Sequence, residues 1–320
     1  MKNNSLLVVV STHNGDFNLA ENLIRWIGEL DGATAGPAGC KLPYPCLLIV
    51  DQTVEQARWM ALFNAAKKIF AHARVVTVQV PNTGWKPNTM FLTAAKYVHE
   101  NYALPFLWLE PDCVPLKAGW LDDINKGYKE SPLRYFGAVI EQTEQKNLPG
   151  RHLTGCSVYP NDAWEDFEKM AEVTSGRQAW DIAGAERIAT AATNTGLIHH
   201  FWGQKDKPPV FVESREPNAP ENHVLLNFIK PDAVLFHRNK TGDLIPLLRK
   251  AHGISPSPNN GEAKAQAVTT IVESNTPPMT APQPVISDEK PKGPKAVSKQ
   301  GPRIVVPAHM LDAAPTIAGP

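Results

Sequence analysis

The chain has little cysteine, no long apolar run and no excess of either charge. Its four cysteines, Cys40, Cys46, Cys113 and Cys156, include no Cys-x-x-Cys pair. That spacing argues against a disulfide framework and against a thiolate zinc site. Free thiols in a reducing compartment are the simpler reading, and a Cys40–Cys46 pairing stays open for an oxidising one. No apolar stretch reaches the roughly 18 residues of a membrane helix. The apolar run at 6–10 is too short for a signal-peptide core and leads straight into Ser11-Thr12-His13-Asn14. We therefore expect a cytoplasmic protein with no membrane contact. Lys+Arg and Asp+Glu both number 32. No bulk field then draws the chain to nucleic acid or anionic lipid, although a local basic groove stays open. The phosphate loops Gly-x-Gly-x-x-Gly and Gly-x-x-x-x-Gly-Lys-Ser/Thr are absent, as is the Gly-x-Ser-x-Gly elbow. These absences weigh against a dehydrogenase, a phosphate-loop kinase and a serine hydrolase.

What is present is unevenly spread. All 25 aromatic residues (11 Phe, 8 Trp, 6 Tyr) precede residue 255. The 66 residues from Ser255 to Pro320 hold 12 of the 29 prolines and no aromatic. Such a segment buries too little apolar surface to offset the entropy of ordering it. The expected organisation is one α/β domain over 1–254 and a Pro-rich disordered tail over 255–320, polyproline-like in patches. Within the tail, 303–311 is apolar enough to dock on a protein partner, or is apolar by chance.

In 1–254 two periods alternate. Residues 6–10, 46–50, 75–80, 106–109 and 135–140 are short apolar runs that suit buried strands. Residues 19–30, 55–71, 89–102 and 120–128 carry helical spacing. This order implies a doubly wound, mainly parallel sheet. Ligands bind at the carboxyl ends of such strands. The segments there are Ser11-Thr12-His13-Asn14-Gly15-Asp16, then Asp51-Gln52-Thr53. Asn82-Thr83-Gly84-Trp85-Lys86-Pro87-Asn88 and Glu110-Pro111-Asp112 come next. Residues i and i+2 of an extended segment point the same way, so Glu110 and Asp112 can converge on one hard cation, Mn²⁺ or Mg²⁺. A solvated acidic turn before the helix at 120 is the alternative.

Taken together these segments resemble the GT-A class of nucleotide-sugar glycosyltransferases, its family-2-like branch, over roughly 1–245. Residues 6–14 resemble the opening strand with its Thr-x-Asn, here Thr12 and Asn14. Residues 48–53 resemble its second strand, which implies that the terminal Asp, here Asp51, contacts the nucleotide base. Asn82, Lys86 and Asn88 lie in a segment that resembles the Asn-x-Gly loop. Glu110-Pro111-Asp112, followed by Pro115 and Gly119-Trp120-Leu121, resembles the Asp-x-Asp metal motif, with Glu in place of the first Asp. The resemblance implies Asp112 as the stronger metal ligand, with Glu110 either a weaker ligand or a ribose or metal-water contact. Thr154-Gly155-Cys156-Ser157-Val158-Tyr159 resembles the segment lining the donor sugar, which adds Gly155. The resemblance implies a nucleoside-diphosphate sugar donor and transfer of a single sugar, since no Gln-x-x-Arg-Trp follows.

Within Trp180-Asp181-Ile182-Ala183-Gly184-Ala185-Glu186 the resemblance implies an acceptor base, Asp181 first and Glu186 second. Alternatively, Asp181 caps a helix over 182–192 with Glu186 on its exposed face. Residues 233–236 deliver His237 at a strand end, where imidazole can complete a carboxylate metal site. Lys240 can neutralise a departing diphosphate. A surface turn with one His and two cations is the plainer alternative. His199-His200 reads as structural, and 213–223 as either a lid or a loop without function. The expected acceptor is soluble. Some bacteriophage enzymes of this look glycosylate hydroxymethylated DNA bases, which would place this one in an infected host's cytoplasm; glycan or protein acceptors compete. A nucleotidyltransferase and a non-catalytic sugar-nucleotide-binding interaction protein are the rival functions.

Overall fold

The structure is a computed structural model that describes residues 6–32, 41–80, 86–141, 150–201, 207–255 and 304–305. The expected tail falls outside these residues except for Ser255 and 304–305. The first half alternates strictly. β1 (Leu7–Thr12), α1 (Phe17–Leu30), β2 (Leu42–Asp51), α2 (Gln56–Ile69), β3 (Phe70–Val78), α3 (Lys86–Asn101) and β4 (Phe106–Leu109) follow one another. β1 is apolar on both sides because helices cover both. Val8 and Val10 join a core with Leu23 and Ile27 of α1 and Leu62 of α2. Leu7 and Val9 join a second core with Phe91 and Ala94 of α3. This double burial is what a continuous apolar strand demands. β3 starts at Phe70, five residues ahead of the expected 75, directly from the end of α2.

The second half is less regular. It comprises β5 (Cys113–Pro115), α4 (Trp120–Glu130), β6 (Tyr135–Glu141), β7 (Arg151–Tyr159), α5 (Ala163–Phe167) and α6 (Ala171–Thr174). Then come α7 (Trp180–Ala183), α8 (Ala185–Thr190), β8 (Ala192–Asn194), β9 (Ile198–His200), β10 (Val210–Phe211), β11 (His223–Val224), β12 (Leu235–His237) and α9 (Leu244–His252). The helix expected over 182–192 is two short helices broken at Gly184 (φ −89°, ψ 3°), and the chain is already in β8 at Ala192. α4 begins after Gly119, whose φ of 75° favours glycine. There the Gly119 N–H and the Trp120 Nε1–H both donate to the Asp31 carboxylate, at 2.8 and 3.1 Å. The Gly-Trp pair seen in the sequence therefore starts a helix.

The main sheet runs β13-β3-β2-β1-β4-β7-β6-β8, where β13 (Ile304–Val305) lies antiparallel on β3. The pairs β3/β2, β2/β1, β1/β4 and β6/β8 are parallel. β7 is antiparallel to both β4 and β6. The class is thus α/β with a mainly parallel sheet. The chain leaves β1 toward β2 on one side and returns as β4 on the other. The carboxyl ends of β1 and β4 therefore flank a topological switch point, where such sheets open a crevice. A smaller sheet, β5-β12-β9, stands beside that edge. Among the described residues no helix is long and apolar enough to cross a membrane.

β6 and β7 approach closely at Gly137, which is paired with Ser157. A Cβ on Gly137 would overlap the Ser157 hydroxyl and meet Leu153 Cδ1 at 3.0 Å. We expect Gly137→Ala to cost about 1–3 kcal/mol, as overpacked cores do, read as a lowered midpoint in chemical denaturation.

Candidate active site

A cleft of about 320 Å³ opens at the switch point, with Thr12, Asp16, Glu110, Asp112, Trp180 and Lys240 in its wall. The loop after β1 folds on the Asp16 carboxylate. Thr12 Oγ1 donates to Asp16 Oδ1 at 2.9 Å, the His13 N–H donates to the same oxygen at 2.8 Å, and His13 Nε2 lies 3.3 Å from Asp16 Oδ2. Burial raises the Asp16 carboxyl despite these contacts.

The centre of charge is Asp112, which is 2% exposed. It enters the site because the turn after β4 leads into β5, which pairs antiparallel with β12 so that Cys113 faces His237. The Asn239 N–H donates to the Asp112 carbonyl at 2.9 Å, which ties the end of β12 to the acidic turn. Between them Arg238 has φ 93°, a conformation that L side chains rarely adopt. His237 Nε2 lies 3.3 Å from Glu110 Oε2 and 3.5 Å from Asp112 Oδ1, and Lys240 Nζ lies 2.7 Å from Asp112 Oδ2. Burial alone would raise the Asp112 carboxyl. The charges of His237 and Lys240 override it and hold the group well below the usual carboxylate range. Burial works against charge on His237 as well. Its neighbours Cys113, Asp112 and Glu110 nonetheless hold the proton and raise the imidazole.

These residues fit a divalent cation. Both Asp112 oxygens are buried, one facing the His237 imidazole and the other the Lys240 ammonium. Donor atoms of Asp112, Cys113 and His237 all lie within 4.8 Å of one another. Carboxylate, imidazole and thiol form a mixed donor set that first-row divalent metals accept.

Asp181 sits at the start of α7, beside this cluster. Trp180 is clamped by aromatic contacts: stacked on Phe91 (4.7 Å between centroids, 11°) and edge-on to Trp108 (5.9 Å). Its Nε1–H donates to the Tyr159 hydroxyl at 3.3 Å, which donates to the Gly155 carbonyl at 3.0 Å. Gly155 passes so near Glu110 that a Cβ there would lie 2.7 Å from Oε1. Burial, reinforced by the Glu110 charge, pushes the Asp181 carboxyl up to about 7.

The structure thus brings together Thr12, Glu110, Asp112, Gly155, Asp181, His237 and Lys240. Other expected site residues make contacts within the protein. Asn88 is buried, donates to the carbonyls of Val173 and Gln178 (3.1 and 2.6 Å) and accepts from the Trp180 N–H at 3.0 Å. It holds the loop that delivers Trp180. Asn14 donates to the Thr53 carbonyl at 2.8 Å, and Asp51 accepts from the Thr53 N–H at 3.0 Å. The first bond joins the β1 and β2 loops, and the second closes the turn after β2. Lys86 is exposed at the start of α3, and Glu186 is described only as backbone in α8. Asn82 lies outside the described residues. Sequence reasoning missed Asp16, Cys113, Trp180 and His200. His200, read as structural, lies with its Nδ1 2.9 Å from His237 Nδ1. Sequence signals did exist for Asp16, in the loop after the first strand, for Cys113, next to the acidic pair, and for Trp180, beside a candidate base.

No family model matches the chain, and no curated protein matches it. Solved structures do. One is the galactosyltransferase LgtC with donor and acceptor sugar analogues (10% identity, 79% of this chain and 98% of that one, TM-score 0.44). Another is the bifunctional glycosyltransferase WbbM (11%, 73% and 46%, TM-score 0.46). A third is mouse xyloside xylosyltransferase 1 (8%, 74% and 98%, TM-score 0.42). At TM-scores below 0.5 these likenesses do not decide the chemistry of this chain, which rests on its own residues.

Two outcomes follow from the geometry. An acid whose folded pKa is raised stabilises the fold fully below its unfolded value, near 3.8, and loses that contribution as pH rises through about 7. In metal-free protein Asp181→Asn should therefore raise the melting temperature more at pH 8 than at pH 5. The gain is on the order of 1–2 kcal/mol once partial solvent access is allowed for; an equal shift at both pH values would refute the raised carboxyl. At position 238, Arg238→Gly should match or exceed the wild-type melting temperature, and Arg238→Val should lower it. A residue held in a sparse backbone region costs about 1–3 kcal/mol.

Proposed function

We propose that the chain transfers one glycosyl group from a nucleoside-diphosphate sugar to an acceptor hydroxyl, with a divalent cation, Mn²⁺ or Mg²⁺, held by Asp112 and His237 and with Glu110 beside it. The observation that carries this reading is the convergence of Glu110, Asp112, His237 and Lys240 at the switch-point crevice, with the raised carboxyl of Asp181 alongside.

A bound cation would neutralise the diphosphate as the anomeric C–O bond breaks. Lys240 offers a second positive charge. Its ammonium reaches Asp112 from a flexible, half-exposed side chain and can turn to a phosphate oxygen. The Thr12–Asp16 loop forms one wall of the cleft, where the nucleoside would rest. Asp51 and Asn14 would act by shaping that wall. Asp181 would accept the acceptor's hydroxyl proton on a carboxylate oxygen. A base with a pKa near 7 suits proton transfer at neutral pH. Trp180 sets its place. The reading carried from the sequence makes the acceptor a hydroxymethylated DNA base, as in bacteriophages, or a glycan hydroxyl.

The test is a thermal-shift series with nucleoside-diphosphate sugars, with and without Mn²⁺. Stabilisation should need both ligands in the wild type, and Asp112→Asn should remove the metal-dependent part and lower transfer by about 10²-fold or more. A preference for nucleoside triphosphates would favour nucleotidyl transfer instead. Mass spectrometry of hydroxymethylated DNA and of glycans incubated with enzyme and donor then identifies the acceptor.

A further inference from the structure

Two histidines stand side by side in β9, and strand alternation sends them to opposite faces. His199 Nδ1 accepts the Lys230 N–H at 3.1 Å and its ring stacks on Phe228 at 5.5 Å between centroids. That is packing. His200 is in register with His237 of the parallel neighbour β12, as Cys113 is on the antiparallel side. The three side chains form one row across the small sheet, with His237 in the middle.

The distance between the two rings constrains the protons. His200 Nδ1 and His237 Nδ1 are 2.9 Å apart, with ring centroids 4.7 Å apart and planes 66° to each other. Two ring nitrogens that close share one proton, one donating and the other accepting through its lone pair. If His200 donates, a neutral His237 must carry its own proton on Nε2. That N–H would then point at Glu110 Oε2 and Asp112 Oδ1, 3.3 and 3.5 Å away. If His200 accepts, the His237 proton sits on Nδ1 and the Nε2 lone pair faces the carboxylates.

We propose that His200 is a positioning residue that accepts the Nδ1–H of His237, fixing the tautomer that presents Nε2 to a cation between Glu110 and Asp112. This rests on the metal-dependent reading above. Partners of this kind, hydrogen-bonded to a ligating imidazole, set its tautomer and orientation in metal sites generally.

The experiment measures Mn²⁺ binding to the full chain without sugar nucleotide, by the electron paramagnetic resonance of free Mn²⁺, in wild type, His200→Leu and His200→Asn. Leucine removes the acceptor, whereas asparagine keeps an oxygen near the Nδ1 position. We expect a 10- to 100-fold loss of affinity for His200→Leu, as for other second-layer partners, and recovery to within about threefold for His200→Asn. Two-bond ¹H–¹⁵N correlations on histidine-labelled, Mg²⁺-loaded wild type should show the His237 proton on Nδ1, and this readout needs no variant to fold. Wild-type affinity in His200→Leu, an equal loss in both variants, or a His237 proton on Nε2 would each overturn the proposal. A wild type that binds neither Mn²⁺ nor Mg²⁺ would instead overturn the metal-dependent reading, and this inference with it.

Discussion

One carboxylate, Asp112, constrains the carboxyl edge of the sheet. It is almost fully buried. An isolated charge there would cost several kcal/mol and would protonate instead. It stays ionised because His237 and Lys240 bring positive charge to 3.5 and 2.7 Å. Each arrives by a specific route: His237 at the end of β12, Lys240 from the turn that follows. The strained backbone at Arg238 and the buried Asn239 hold that turn in place. Asn239 ties it at both ends, through its N–H to the Asp112 carbonyl and through Oδ1, which accepts the Leu244 N–H at 3.2 Å.

The rest of the scaffold serves the same corner. The β1–β4 switch point leaves a crevice, because the chain departs β1 in opposite directions on its two sides. The aromatic group of Phe91, Trp108, Tyr159 and Trp180 fills the space under its floor. Such rings bring area and few rotatable bonds, so they fix a neighbour at low entropic cost. Asn88 completes the clamp from α3, since its amide bonds to three backbone groups around Trp180.

The strands of the first half were legible because double burial writes them as unbroken apolar runs, and β4 appears at the expected 106–109. The acidic pair and the late histidine were legible because each ends such a run. What sequence could not supply was the small sheet. β5 is three residues, Cys113–Pro115, too short to carry a period, and its pairing with β12 spans more than a hundred residues. Without that register, nothing marks Cys113 as a neighbour of His237, or distinguishes His200 from His199. The break at Gly184 was hidden for a related reason. The helical pattern continues through it, but the glycine packs so tightly that a Cβ would lie 2.9 Å from Ile188 Cγ1.

Two aspartates of the same chemistry are driven apart by their surroundings. Asp112 lies between an imidazole and an ammonium and is held well below the usual carboxylate range, which favours its anion. Asp181 is partly buried beside the Glu110 charge, and that desolvation and repulsion outweigh the more modest pull of His237, so its carboxyl is pushed up to about 7. A group that must hold a cation needs a permanent charge, whereas a group that must take a proton needs a pKa near the working pH. Exchanging the two environments would leave neither group suited to its task. In the proposed reaction the shared neighbour Glu110 sustains this separation. Its charge lies 3.3 Å from the imidazole that stabilises Asp112 as an anion, and it also raises Asp181. On this view the glutamate at the first position of the acidic pair acts on both sides of the site at once, which a shorter aspartate, set back from Gly155 and Asp181, would do less well.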